Sequence, residues 1–142
     1  MYSIGICDDE KNLAEEASVQ TDIMLDIPEK ISIEEIDLCS IFCNLFDNAI
    51  ESCKRVPIQE QRFLKLCAER KAGYLIIYER NAMTGKLKRK NGRIITNKKE
   101  ISEHGYGLEL LRMMSEKYDG KMTVHTYPGI FEIELALEIK DT

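Results

Sequence analysis

The sequence predicts an α+β fold, a two-layer sandwich in which helices cover one face of a mixed sheet. Three observations carry this. Near the C-terminus Phe131, Ile133, Leu135, Leu137 and Ile139 alternate with Glu132, Glu134, Glu138 and Lys140, the period-two signature of a strand with one buried face. Across Glu34–Lys54 the apolar residues instead recur at helical spacing. Leu38, Phe42, Leu45, Phe46, Ala49 and Cys53 gather on one side, and Asp37, Ser40, Asn44, Asp47, Asn48, Glu51 and Arg55 on the other. The strands also come in hairpins, which favours α+β over alternating crossover units.

Taken in order, Tyr2–Cys7 reads as a short apolar strand ending in Asp8-Asp9-Glu10, where a helix begins. Val19, Thr21, Ile23, Leu25 and Ile27 share one face of a second strand, closed by Pro28. The long helix follows and Pro57 ends it. Arg62–Glu69 and Tyr74–Asn81 form a hairpin around Lys71-Ala72-Gly73. Between Thr84 and His104 the periodicity lapses. Tyr106–Tyr118 is a second helix, stopped by Gly120 in the place that favours left-handed backbone. Met122–Tyr127 and the final strand turn on Pro128-Gly129. There are no internal repeats.

At 142 residues, with 44% hydrophobic and 32% charged residues, the chain has the make-up of one soluble globular core. It has no apolar run of membrane-spanning length and no signal-peptide pattern at its start. A net charge of −5 argues against nucleic acid as a partner. Five cysteines (Cys7, Cys39, Cys43, Cys53, Cys67) form no CxxC pair. Their odd number and scatter read as reduced, mostly buried thiols of a cytoplasmic protein.

The long helix carries the most informative stretch, Asn44-Leu45-Phe46-Asp47-Asn48-Ala49-Ile50-Glu51. Its polar face consists of short amide and carboxylate oxygens, with no long charged stem until Lys54. Asn and Asp form helices poorly, so three of them mid-helix call for a reason. One reading is a solvated face. The other is a row of hard oxygen ligands aimed at magnesium and the phosphates it carries.

This stretch resembles the N box of the ATP-binding domain shared by sensor histidine kinases, type II topoisomerases, mismatch-repair ATPases and a heat-shock chaperone, the GHKL superfamily. With Asp37-Leu38-Cys39 ahead of it, the wording is nearest to peptide-sensing bacterial histidine kinases. The resemblance covers residues 17–142 and implies a Bergerat-type fold with ATP and Mg2+ as cofactors. It implies that Asn48 binds the metal, that Asn44 holds a phosphate or a metal-bound water, and that Asp47 and Glu51 shape the surrounding shell. Residues 1–16 resemble instead the opening strand and acidic pair of a response-regulator receiver domain, and read as a relic or fusion.

The phosphate end has its own signal. His104-Gly105-Tyr106-Gly107-Leu108 leads straight into the second helix, whose N-terminus offers unpaired N–H groups. The resemblance assigns Gly105, Gly107 and Leu108 to phosphate oxygens. Ahead of them, Lys86, Lys88, Arg89, Lys90, Arg93, Lys98 and Lys99 form a basic run without an acid. With seven positive charges there and −5 for the whole chain, the remainder carries −12. Beside an acidic cleft the run reads as a mobile lid, with Lys98 or Lys99 adding a cation at the phosphates. A P-loop is excluded because its first glycine position holds Arg80, and a dinucleotide fingerprint because its third holds Leu110.

At the adenine end the family's Asp-x-Gly-x-Gly reads here Asn81-Ala82-Met83-Thr84-Gly85. Asn81 can accept the same hydrogen bond as a neutral partner, Gly85 keeps its place, and one glycine is missing. The expected function is a histidine-kinase catalytic module that passes phosphate to a histidine on a separate dimerisation domain, with a response regulator as a further partner. The only histidines here, His104 and His125, lie outside any acceptor-like helix. Two alternatives stay open: a GHKL-type ATPase, and a degenerate module that binds without turnover. Asn44 bears on the first, since hydrolytic relatives carry there a glutamate that acts as general base.

Overall fold

The computed structural model describes residues 8–84, 88–90, 93–95 and 106–140. Helix α1 (Asp8–Glu16) leads into strand β1 (Gln20–Asp26), followed by helix α2 (Glu35–Lys54). A short 3-10 turn at Gln59–Gln61 precedes β2 (Phe63–Lys71) and β3 (Tyr74–Ala82). Next come two three-residue strands, β4 (Lys88–Lys90) and β5 (Arg93–Ile95), then helix α3 (Tyr106–Lys117). Strands β6 (Lys121–Tyr127) and β7 (Ile130–Glu138) close the chain. The strand expected at Tyr2–Cys7 lies outside the described residues.

Five strands form one sheet in the order β1-β2-β3-β7-β6. The β1–β2 pair is parallel and the rest are antiparallel, so the sheet is mixed, as expected. Phase decides which face is covered. Leu64, Leu66 and Ala68 of β2, Leu75 and Ile77 of β3, and Phe131, Ile133, Leu135 and Leu137 of β7 are all buried. They meet Leu38, Phe42, Leu45, Phe46, Ala49 and Cys53 of α2 in one core. The opposite face carries polar cross-strand pairs. There Tyr78 donates to Glu132 at 2.9 Å and Arg80 lies 3.5 Å from the same carboxylate.

The β2–β3 turn needs only Ala72 and Gly73, with φ of 50° and 82°. Positive values at both central residues match the twist of a two-residue hairpin. The end of α3 departs from expectation. The left-handed residue is Asp119, at φ 51°, within a Schellman closure in which Gly120 N–H bonds the Ser115 carbonyl at 2.8 Å. Gly120 is required for a different reason: a Cβ there would stand 1.7 Å from the Ala136 carbonyl oxygen. The glycine lets the chain pass directly against β7.

Helix α1 also ends in a Schellman closure, with Ser18 at φ 56° and Val19 N–H on the Ala14 carbonyl. It packs on α2 and buries Ala14 and Ala17. The segment expected to lack regular structure contains the β4–β5 ladder, in which Lys90 faces Arg93. Whether the rest of that segment is mobile concerns residues outside those described.

Candidate functional site

Helices α2 and α3 run antiparallel, and the contacts at their two ends fix this. Gly107, in the first turn of α3, lies on Asn48 of α2. Ten residues further on, Lys117 and Tyr118 lie on Asp37 near the start of α2. A Cβ at Gly107 would stand 2.9 Å from Asn48 Nδ2 and 3.0 Å from its Oδ1. The glycine thus lets the backbone of the helix N-terminus rest on the carboxamide, where the unpaired N–H groups and the positive end of the dipole lie. Leu108 is buried beside it and roots this end of α3 in the core.

Asn44 stands one turn before Asn48, about 5–6 Å away along the same face. Its Nδ2 donates to the Ser40 carbonyl at 2.8 Å, and the side chain is half-buried. Asp47 is exposed and Glu51 half-buried. Burial, then the charge of Glu51, raises the Asp47 carboxyl above its ordinary pKa. Glu51 faces Lys54 at 3.7 Å in an open ion pair of little energetic weight. Among the described residues, no group of three or more His, Cys, Asp or Glu is arranged to hold a metal ion. A metal here would need amide oxygen and ligand phosphates.

The third element is the end of β3. Asn81 is 1% exposed and points to the helix layer. Its Nδ2 donates to the Ala82 carbonyl at 2.8 Å. Its Oδ1 is the side chain's acceptor. Cys53, in the last turn of α2, reaches the Phe63 carbonyl at 3.3 Å and that of Ala82 at 3.9 Å. The end of β3 therefore lies against the end of α2. Desolvation raises the Cys53 thiol to about 11 and the Cys43 thiol to about 12, so both are inert at neutral pH.

Of the residues singled out in the sequence, Asn44, Asp47, Asn48 and Glu51 share α2, Gly107 and Leu108 open α3, and Asn81 ends β3. Gly85, Lys98, Lys99 and Gly105 lie outside the described residues. His125 is exposed on β6, away from the helix layer. Asp37 belongs to the same polar stripe, yet it is 7% exposed and its Oδ2 accepts from both Lys117 and Tyr118.

Sequence reasoning also passed over Glu79. It follows Leu75 and Ile77 in the inward phase of β3 and is 1% exposed, with neither carboxyl oxygen hydrogen-bonded. Desolvation holds its pKa well above the ordinary value, which favours the protonated carboxyl. The alternation alone marks Glu79 as inward-facing.

Residues 33–138 match the GHKL domain family. No curated protein is a significant sequence match. Among solved structures, Acinetobacter baumannii histidine kinase AdeS is similar at 12% identity and TM-score 0.64, over 94% of this chain and 60% of that one. A histidine kinase from Burkholderia phymatum STM815 is similar at 12% identity and TM-score 0.68, over 92% and 64%. Full-length ShkA in complex with AMPPNP is similar at 16% identity and TM-score 0.65, over 96% and 31%. The chain thus spans under two thirds of each of these three proteins. At such identities the likeness is one of fold.

Proposed function

From a chain that belongs to the GHKL domain family, we propose a specific activity: it is the Mg-ATP-binding catalytic domain of a two-component sensor histidine kinase. It passes the γ-phosphoryl group to a histidine carried on a dimerisation domain outside this chain, with a response regulator downstream. In this reading residues 17–142 are the ATP-binding domain, residues 1–16 a receiver-like segment, and the location is the cytoplasm. No helix among the described residues is long and apolar enough to cross a membrane.

One observation carries the reading. The glycine end of α3 rests on the Asn48 carboxamide, so an oxygen ligand for a hard cation and backbone donors for phosphate oxygens share one place. At the base, Asn81 Oδ1 would accept from an exocyclic amino group. The likeness to ShkA, solved with AMPPNP, points the same way.

Bound Mg-ATP supplies the transferable phosphoryl group and the cation that neutralises it. The protein's part is to position it. Asn48 would hold the metal. Gly105, Gly107 and the N–H of Leu108 would hold phosphate oxygens, with Lys98 or Lys99 as an added cation. Gly85 would sit near the base with Asn81, and Asp47 and Glu51 would order the surroundings.

Asn44 decides between transfer and hydrolysis. Its Oδ1 can orient a nucleophile, but a carboxamide has no useful basicity near neutral pH. General-base help is worth about 10²–10⁴-fold, and Asn44 cannot give it. The test is a pair of assays. Phosphate release with Mg-ATP should stay near background, while label should reach a histidine-bearing dimerisation domain supplied in trans. Steady release at about one per second, abolished by Glu51→Gln, would make the protein a hydrolase instead.

A further inference from the structure

We propose that Asp37 is a positioning residue for the nucleotide site: acting through Lys117 and Tyr118, it sets how closely the N-terminus of α3 is held on Asn48. The inference rests on the functional reading above. Asp37 lies eleven residues before Asn48, roughly 16 Å along α2, so it does not share a ligand with it. Its Oδ2 accepts from Lys117 Nζ at 2.8 Å and from the Tyr118 hydroxyl. The same hydroxyl accepts the Glu34 backbone N–H at 3.2 Å. The start of α2 thus grips the end of α3 through one chain of hydrogen bonds.

That end of α3 is held from a second side as well. Gly120 lies against Ala136, and Glu138 N–H bonds the Tyr118 carbonyl at 2.9 Å. The glycine end is held differently. There the backbone meets a flexible carboxamide with no room for a methyl group. Ten residues of helix, roughly 15 Å, separate the two ends. A tilt of roughly 4° at the gripped end of such a rod moves the other by about 1 Å. Displacements of that size can cost about a hundredfold where geometry matters. The grip is remote in space yet mechanically direct.

The experiment is a double-mutant cycle of Asp37→Asn and Gly107→Ala, read as calorimetric affinities for Mg-ATP and for adenosine, with a thermal melt on every variant. Asp37→Asn should weaken Mg-ATP about tenfold and leave adenosine within about twofold, because only the phosphate end moves. Gly107→Ala should cost less in the Asp37→Asn background than alone, since a released helix can retreat from Asn48. Lys117→Met is the companion variant should Asp37→Asn fail to fold, and Lys117→Arg should rescue it. Additive costs, or equal losses for adenosine and Mg-ATP, would reduce Asp37 to a fold-stabilising role and leave the functional reading intact. A wild-type protein that binds neither ligand overturns both.

Discussion

Asp37 and Asn48 occupy the same stripe of α2, three turns apart, and face the same partner helix, yet their surroundings differ. Asp37 meets a lysine and a tyrosine and is largely buried. Asn48 meets the bare backbone of Gly107 and stays half-exposed. Both are short side chains ending in oxygen. What separates a structural polar group from a candidate ligand here is the residue that α3 brings opposite: donors that saturate the oxygen at one end, a glycine that leaves it open at the other.

The closed end should fail through stability. Gly120→Ala is expected to have the largest effect. Its Cβ would stand 1.7 Å from a backbone oxygen, a clash that only main-chain movement relieves, costing about 3 kcal/mol or more in urea unfolding. An unchanged midpoint would show that α3 is not braced on β7. Asp37→Ala comes next. It leaves the half-buried Tyr118 hydroxyl without its acceptor, while the exposed Lys117 ammonium returns to water, and should cost about 1 kcal/mol. Parity with wild type would remove the grip from the account.

Glu79 sharpens the comparison, because it is a buried acid whose carboxyl oxygens have no hydrogen-bond partner among the described residues. The two acids should respond to pH in opposite senses. Hydrogen bonds from Lys117 and then Tyr118 lower the pKa of Asp37 below its ordinary 3.8. Its contribution is therefore present above that pH and lost as pH falls through the folded value. Desolvation raises Glu79 well above 4.5. Its native form keeps a proton that the unfolded chain releases above pH 4.5, so stability falls as pH rises from there toward the folded pKa.

Glu79→Gln should accordingly be more stable than wild type at neutral pH. Its advantage should widen from pH 5 toward the folded pKa, by at most about 1.4 kcal/mol per pH unit. The deficit of Asp37→Asn should stay level from pH 5 to 8 and shrink only below pH 4. Urea midpoints across that range measure both. A flat Glu79→Gln advantage would mean that the buried carboxyl has a proton-independent cost.

Much of this architecture was legible because it is set by local pattern. The alternation of β7 fixed its inward face, and the spacing of Leu38, Phe42, Leu45 and Ala49 fixed that of α2. The β2–β3 turn followed from Ala72-Gly73. The β4–β5 ladder was missed because Lys88–Lys90 has no apolar alternation, although Asn91-Gly92 between the strands is a two-residue turn signal. Gly120 was read as the left-handed residue, since a glycine after a helix usually is. Its real constraint, the approach of β7, comes from another part of the chain. The Asp37–Lys117 pairing spans 80 residues, and nothing local announces it. Asn48 was legible as polar, whereas its openness depends on Gly107 falling opposite it.

The most direct test of the account is a calorimetric titration of Mg-ATP into the wild-type chain and into Asn48→Ala. Saturable binding at or below about 1 mM nucleotide, weakened about a hundredfold by the substitution at unchanged melting temperature, is the predicted result. Absence of heat in the wild type, or equal affinity in the two proteins, would contradict it.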